Sequence, residues 1–169
     1  MRALTIRQPW AGLMAAGIKR VENRPRAMIK ADDFGKPFGL HASREIAAAA
    51  EVRIAELAPD LLTIARNIDG GMDRFYRKDW HALSQIMSAV IAVATIRDAL
   101  YIGGNSEATT LRMLERLGIP EQLRFTFGPT VYVLAGPPIV LPAPVPCRGW
   151  QGFWTLQGDV AARVEAQLA

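Results

Sequence analysis

Five polar side chains crowd into six consecutive positions of this chain: Lys19, Arg20, Glu22, Asn23 and Arg24. Together they carry what an anionic or heterocyclic ligand needs, cations for phosphate and a carboxylate for an exocyclic amine. Lys19 and Glu22 are three apart and share a face only if the backbone turns helically between them, whereas Glu22 and Arg24 share a face in a straight strand. A helix that ends near Lys19, followed by a strand, lets Lys19 and Arg24 flank Glu22. A carboxylate flanked by two cations is a good hydrogen-bond acceptor and a poor general acid. The competing reading is a structural ion pair bracing helix against strand, although such pairs add little net stability once desolvation is counted.

The elements that must position this cluster follow from its neighbours. Gln8–Gly17 reads QPWAGLMAAG. Pro9 suits the first position of a helix and Gly17 its left-handed stop, so a short helix is expected over Trp10–Ala16. Trp10, Leu13 and Met14 share one face; Trp10 reads first as core, with base stacking as the alternative. The preceding RALTIR alternates as a strand with Leu4 and Ile6 inward, and Gln8 lies at the junction. A strand from Val21 toward Met28 is confined to an edge or a turn by Pro25. Turn residues then lead to a short strand at Gly39–Ala42, and Ser43 reads as the N-cap of a helix carrying Ile46, Ala50, Ile54 and Leu57. Arg44, at that helix start, is either a phosphate contact or a solvated charge. A second helix is expected from Asp60 to Gly70.

Phe75, Tyr76 and Trp80 interleave with Arg74, Arg77 and Lys78, a pattern that fits aromatics packing down with charges outward better than it fits base stacking. Met87–Ile96 is continuous and β-branched, as in a central strand. Asn105 or Ser106 caps a helix with Leu111, Leu114 and Leu117, and Thr130–Leu134 is a further strand. Five prolines between Gly136 and Pro146 exclude a central strand there. In the CRGWQGFWTL that follows, Arg148 is placed to reach the cluster, Gly149 and Gly152 permit close backbone approach or a turn, and Trp154 and Leu156 return to the sheet. Cys147 reads as a partly buried thiol rather than an activated one. A terminal helix is expected over Asp159–Ala169.

The whole chain sets the bounds. Its 169 residues, half hydrophobic and 21% charged, suit one globular domain. Residues 1–30 carry a net charge of +6 and the remainder −2, so the positive field is concentrated around the cluster. One cysteine and two histidines leave no internal disulfide and little to hold a metal, and no cofactor is expected. No run approaches the roughly 20 apolar residues of a membrane span, and no signal-peptide pattern opens the chain, so a cytoplasmic protein (in a eukaryote, cytoplasmic or nuclear), monomeric by default, is expected.

Short strands irregularly separated by helices fit a small, partly closed β-barrel with helices over its openings better than a regular βαβ array. LTIRQPWAGLMAAGIKRVENR is similar to the opening of an ASCH (activating signal cointegrator homology) domain, with Gly17, Lys19, Glu22 and Arg24 in the register of its G-x-K-x-x-E-x-R motif. PVPCRGWQGFW resembles the closing part of the same family. The resemblance implies an α+β, PUA-like barrel with helical insertions near 47–85 and 103–127. It also implies a cleft between first helix and barrel, and RNA or DNA as the ligand class, RNA before DNA. Some members remove the acyl group from N4-acetylcytidine with a Lys, a Thr and a Glu; the Lys matches Lys19, but Glu22 stands where the Thr would be. Ribonuclease activity has also been attributed to members. The expected ligand-binding set is therefore Gln8, Trp10, Lys19, Arg20, Glu22, Asn23, Arg24, Ser43, Arg44 and Arg148, with Lys19 and Glu22 catalytic if the chain is a modified-nucleoside hydrolase or a ribonuclease.

Overall fold

A computed structural model describes residues 1–48 and 79–169, together with Ile54 and Glu56. Seven strands form one mixed sheet curled into a half-barrel: β1 (Arg2–Gln8), β2 (Val21–Arg24), β3 (Pro37–Ile46), β4 (Ala89–Tyr101), β5 (Thr130–Leu134), β6 (Ile139–Pro146) and β7 (Phe153–Thr155). Four α-helices are described: α1 (Trp10–Ala15), α2 (Asp79–Gln85), α3 (Glu107–Arg116) and α4 (Gly158–Glu165). The strand order is β2-β5-β4-β3-β1-β7, with β6 also paired to β4. The fold is thus α+β, a partly closed barrel with helices packed on it.

β4 is the spine, and its length explains the curl. Its first half lies between β3 and β6, while its second half, from Ile96, pairs with β5 after a register shift. Because helices and strands cover both faces, β4 is apolar on both. Ile91, Ala94 and Ile96 join the main core with Leu4, Phe38 and α1, while Val90 and Val93 join a smaller core under α4 with Leu141, Val145 and Val160. The five-proline segment lies at an edge as β6, with Leu141 and Val145 its buried residues. Strand β1 pairs with β3 in parallel, with α1 and β2 in the connection, and Leu4 and Ile6 of β1 face the core.

Around the cluster the chain folds as its residues dictate. Gly17 takes φ 76° and ends α1, so that Ile18 and Lys19 both donate their amides to the Leu13 carbonyl. Pro9 is the residue before the helix and supplies no capping atom; the Gln8 side chain does so instead, accepting from the Gly12 amide at 3.0 Å. Its Nε2 donates to the carbonyls of Leu83 and Ile86, 2.8 and 2.6 Å away at the end of α2. Gln8 therefore does not belong to a binding surface: it is 1% exposed and all its polar atoms are committed to packing.

Ser43 is likewise corrected. The chain stays extended through Ile46 because β3 continues alongside β1, with Ile46 opposite Gln8 and the Ala47 amide donating to the Gln8 carbonyl. Ser43 caps no helix there; its Oγ accepts from the Glu45 amide. Ile54, expected on the helix stripe, is buried in the core, while the rest of that stripe from Ala50 onward, the second expected helix, residues 72–78 and most of the expected 47–85 insertion lie outside the described residues. The 103–127 segment carries α3, capped by Ser106, and a 3-10 turn at Pro120–Phe125. No helix among the described residues is long and apolar enough to cross a membrane.

Replacing Gln8 by Ala leaves one buried amide and two carbonyls without their partner, an expected loss of about 2–4 kcal/mol in unfolding free energy. Arg7→Ala removes an exposed pair with Glu45 and should change it by less than about 1 kcal/mol. Urea denaturation of both variants checks the contrast.

Candidate functional site

A cleft of about 1460 Å³ opens where the half-barrel fails to close. The sheet ends at β2 on one side and β7 on the other, and β7 covers β1 only as far as Leu4. Beyond Leu4 the free edge of β1 faces β2 across a gap. Arg24 bridges it: its Nη2 donates to the Thr5 carbonyl of β1 and to Glu22 Oε1 of its own strand, both at 2.9 Å.

The floor is an ion-paired chain. Glu22 Oε2 lies 3.2 Å from Lys19 Nζ, which also donates to the Val21 carbonyl. Lys19 is 2% exposed and Glu22 8%. Burial pushes the Lys19 ammonium below its ordinary value, an effect that the Glu22 charge and hydrogen bond partly oppose. Each Glu22 oxygen spends one lone pair on a cation and keeps another for a donor from the cleft.

Six cationic side chains and two carboxylates stand among the described residues of the wall. Arg7 is paired with Glu45 at 2.8 Å. Arg26, Arg44 and Arg148 are exposed at the mouth, and among the described residues none forms an ion pair. The Arg148 guanidinium lies 4.6 Å from the centroid of the Trp150 ring, itself half exposed, which presents a cation and an aromatic face together. Trp10 is partly buried, packed against the main core with part of its surface on the cleft.

Besides Gln8, two expected members lie elsewhere or are occupied. Arg20 is not on the cleft wall; its amide donates to Gln122 Oε1 and its carbonyl accepts from Leu134. Asn23 borders the cleft, but its amide is spent on the backbone, donating to the Phe125 carbonyl and accepting from the Phe127 amide, both at 2.8 Å. Ser43, though no helix cap, does line the wall beside Arg44.

The structure adds a corner that the reading of the motif passed over. His41 lies opposite Thr5 in the β1–β3 register, and its Nε2 is 3.1 Å from the Cys147 carbonyl. A carbonyl only accepts, so Nε2 carries the proton and the buried Nδ1 is a lone-pair acceptor without a partner among the described residues. Trp154 packs edge-on against the ring and donates to Thr5 Oγ1. Gly149 closes over the imidazole so tightly that a Cβ there would lie 2.2 Å from His41 Cε1, which decides for close approach at this glycine. The trace in the sequence is local: Thr5 and His41 are each polar between apolar neighbours, Leu4 and Ile6 in β1, Leu40 and Ala42 in β3. Burial pushes the Cys147 thiol up from 9.0, against an activated nucleophile.

Burial also pushes the His41 imidazole below its ordinary 6.5. A folded-state value below the unfolded one gives stability that is full above pH 6.5 and lost as pH falls through the lowered value. Wild type should therefore lose more stability than His41→Gln between pH 7.5 and 5, measured as the shift in urea midpoint. Equal shifts would contradict this assignment.

No family model matches the sequence, and no curated protein matches it. Among solved structures the chain is similar to the crystal structure of ASCH from Zymomonas mobilis, 13% identical with a TM-score of 0.51 over 98% of this chain and 93% of that one. A point mutant of that protein, also 13% identical, gives a TM-score of 0.50 over 98% and 94%. Likeness at this identity is a likeness of fold, and it spans nearly the whole of both chains. This protein has the ASCH fold.

Proposed function

We propose that the cleft binds nucleic acid or a nucleotide, RNA before DNA, with a base against Glu22 at the floor and phosphates against the arginines of the mouth. The observation that carries this reading is the division of labour among the cations. Lys19 and Arg24 are committed to holding one carboxylate inside, whereas Arg26, Arg44 and Arg148 are left facing solvent around it. A carboxylate so fixed selects hydrogen-bond donors such as an exocyclic amine, and a ring of guanidiniums selects phosphate. Trp150, beside Arg148, supplies a face on which a base can stack. The ASCH fold, related through the resemblance to RNA-binding PUA domains, supports the same class.

A hydrolase on modified nucleosides or RNA is the second reading, and the Lys19 amine favours it. An ammonium pushed down by burial is closer to the free base needed for proton transfer or attack. Against it stands Glu22, where the amidohydrolase pattern has a hydroxyl.

Binding of fluorescent single-stranded RNA and DNA pools, titrated over a range of salt, tests the first reading. Arg44→Ala and Arg148→Ala lie on exposed side chains and should leave stability within about 0.5 kcal/mol of wild type. Each should weaken binding and lower the log–log salt slope by about one. Glu22→Gln should relax discrimination between bases by about tenfold, as expected for loss of a charged acceptor. No saturable binding of any pool at low salt ends the proposal. Turnover of acylated cytidine or labelled RNA by wild type, lost in Glu22→Gln and Lys19→Ala, would replace it with the hydrolase.

A further inference from the structure

The segment 103–127 is fastened to the motif by two side-chain amides. Gln122 donates from Nε2 to the Ile18 carbonyl at 3.0 Å, and its Oε1 accepts from the Arg20 amide at 2.6 Å. Those two groups belong to the peptide units on either side of Lys19. One carboxamide therefore pairs with Lys19's backbone as a neighbouring strand would, and fixes both units that define its φ and ψ. Four residues after Lys19, Asn23 makes the second clasp, to the Phe125 carbonyl and the Phe127 amide.

The brace is itself immobilised. Gln122 is 2% exposed and Phe125, in the same 3-10 turn, is fully buried in the main core. The Gln122 amide donates to Ile119, its carbonyl accepts from Thr126 Oγ1, and Glu121 Oε1 lies 3.3 Å from its Nε2. What it holds has a strong tendency to leave. A lysine on a flexible stem carries its ammonium to water when the backbone lets it, yet Lys19 keeps Nζ buried between Glu22 and the Val21 carbonyl.

We propose that Gln122 is the positioning residue of the cleft: the helical insertion exists to fix the backbone at Lys19, so that its ammonium is held inward against Glu22. Its consequence for ligand binding rests on the proposed function above. Its consequence for Lys19 does not.

The two are separated by one set of measurements. The chain has four lysines, so ε-13C-lysine labelling resolves the Lys19 titration by NMR. Gln122→Met keeps the length of the side chain and removes both hydrogen bonds. It should raise the Lys19 pKa by about one unit or more as Nζ gains access to water, and lower RNA affinity at least about tenfold. Thr110→Val is the control, because it removes a buried hydroxyl bonded to the Ser106 carbonyl in the same insertion without touching the motif. It should leave both readouts at the wild-type value. An unchanged Lys19 titration in Gln122→Met, or an equal change in Thr110→Val, overturns the proposal. If Gln122→Met does not fold, Gln122→Glu keeps the acceptor for Arg20 and drops the donor to Ile18, and an unchanged Lys19 titration there is equally fatal. In wild type, the Arg20 amide should exchange as slowly as the amides of β5, and fast exchange counts against the brace. Absence of RNA binding by wild type ends the proposed function, while the lysine titration still decides the role of Gln122.

Discussion

The carboxylate of Glu22, held between Lys19 and Arg24, is the constraint on which the rest of this architecture turns. Burying three charges is costly, and their mutual attraction repays it only when every partner is in place. Here the partners come from three different backbone contexts: the exit of α1, the strand β2, and through Arg24 the carbonyl of Thr5 on β1. A helix stop at Gly17, the register of β2 on β5 and the unpaired edge of β1 must all be correct for one carboxylate to be satisfied. The cluster contributes little as a stabiliser of the fold, but it is a stringent reporter of whether the fold is right.

The cleft follows from the topology rather than from an excavation of the core. A sheet ordered with β2 and β7 at its ends has to close or leave a seam, and β7, three residues long, runs out before it can cover β1. The segment between β6 and β7 passes over the seam, placing Gly149 on His41 and Trp150 outward with Arg148. Polar positions of β1 and β3 that would otherwise face another strand face this space instead.

Much of this was legible in the sequence, and the reasons are physical. Gly17 and the three-residue spacing of Lys19 and Glu22 state a helix exit, so the flanking of Glu22 could be read before any coordinates. The five prolines placed β6 at an edge, and the β-branched run placed β4 at the centre. The errors have a common cause. Ser43 looks like a cap because serine before an apolar stripe is a local signal, but the neighbouring strand β1 carries the chain on as β3. Gln8 and Arg20 look like cleft residues because amides and guanidiniums bind ligands; that Gln8 is buried against carbonyls from 75 residues away, and that Arg20 lies off the cleft wall, are tertiary facts with no local trace. His41 is polar between apolar neighbours, as Thr5 is, but that the two face each other is set by the β1–β3 register and leaves no local trace.

Arg24 spans the gap between β1 and β2 with a side chain, where paired strands about 4.8 Å apart would be joined by backbone hydrogen bonds. The seam is spanned by a side chain and not by a ladder, so nothing in the sheet has to come undone for a guest to enter. The mouth of the cleft is thereby uncoupled from strand pairing: the site stands as a finished vessel, and any ligand it takes would enter without unzipping the sheet.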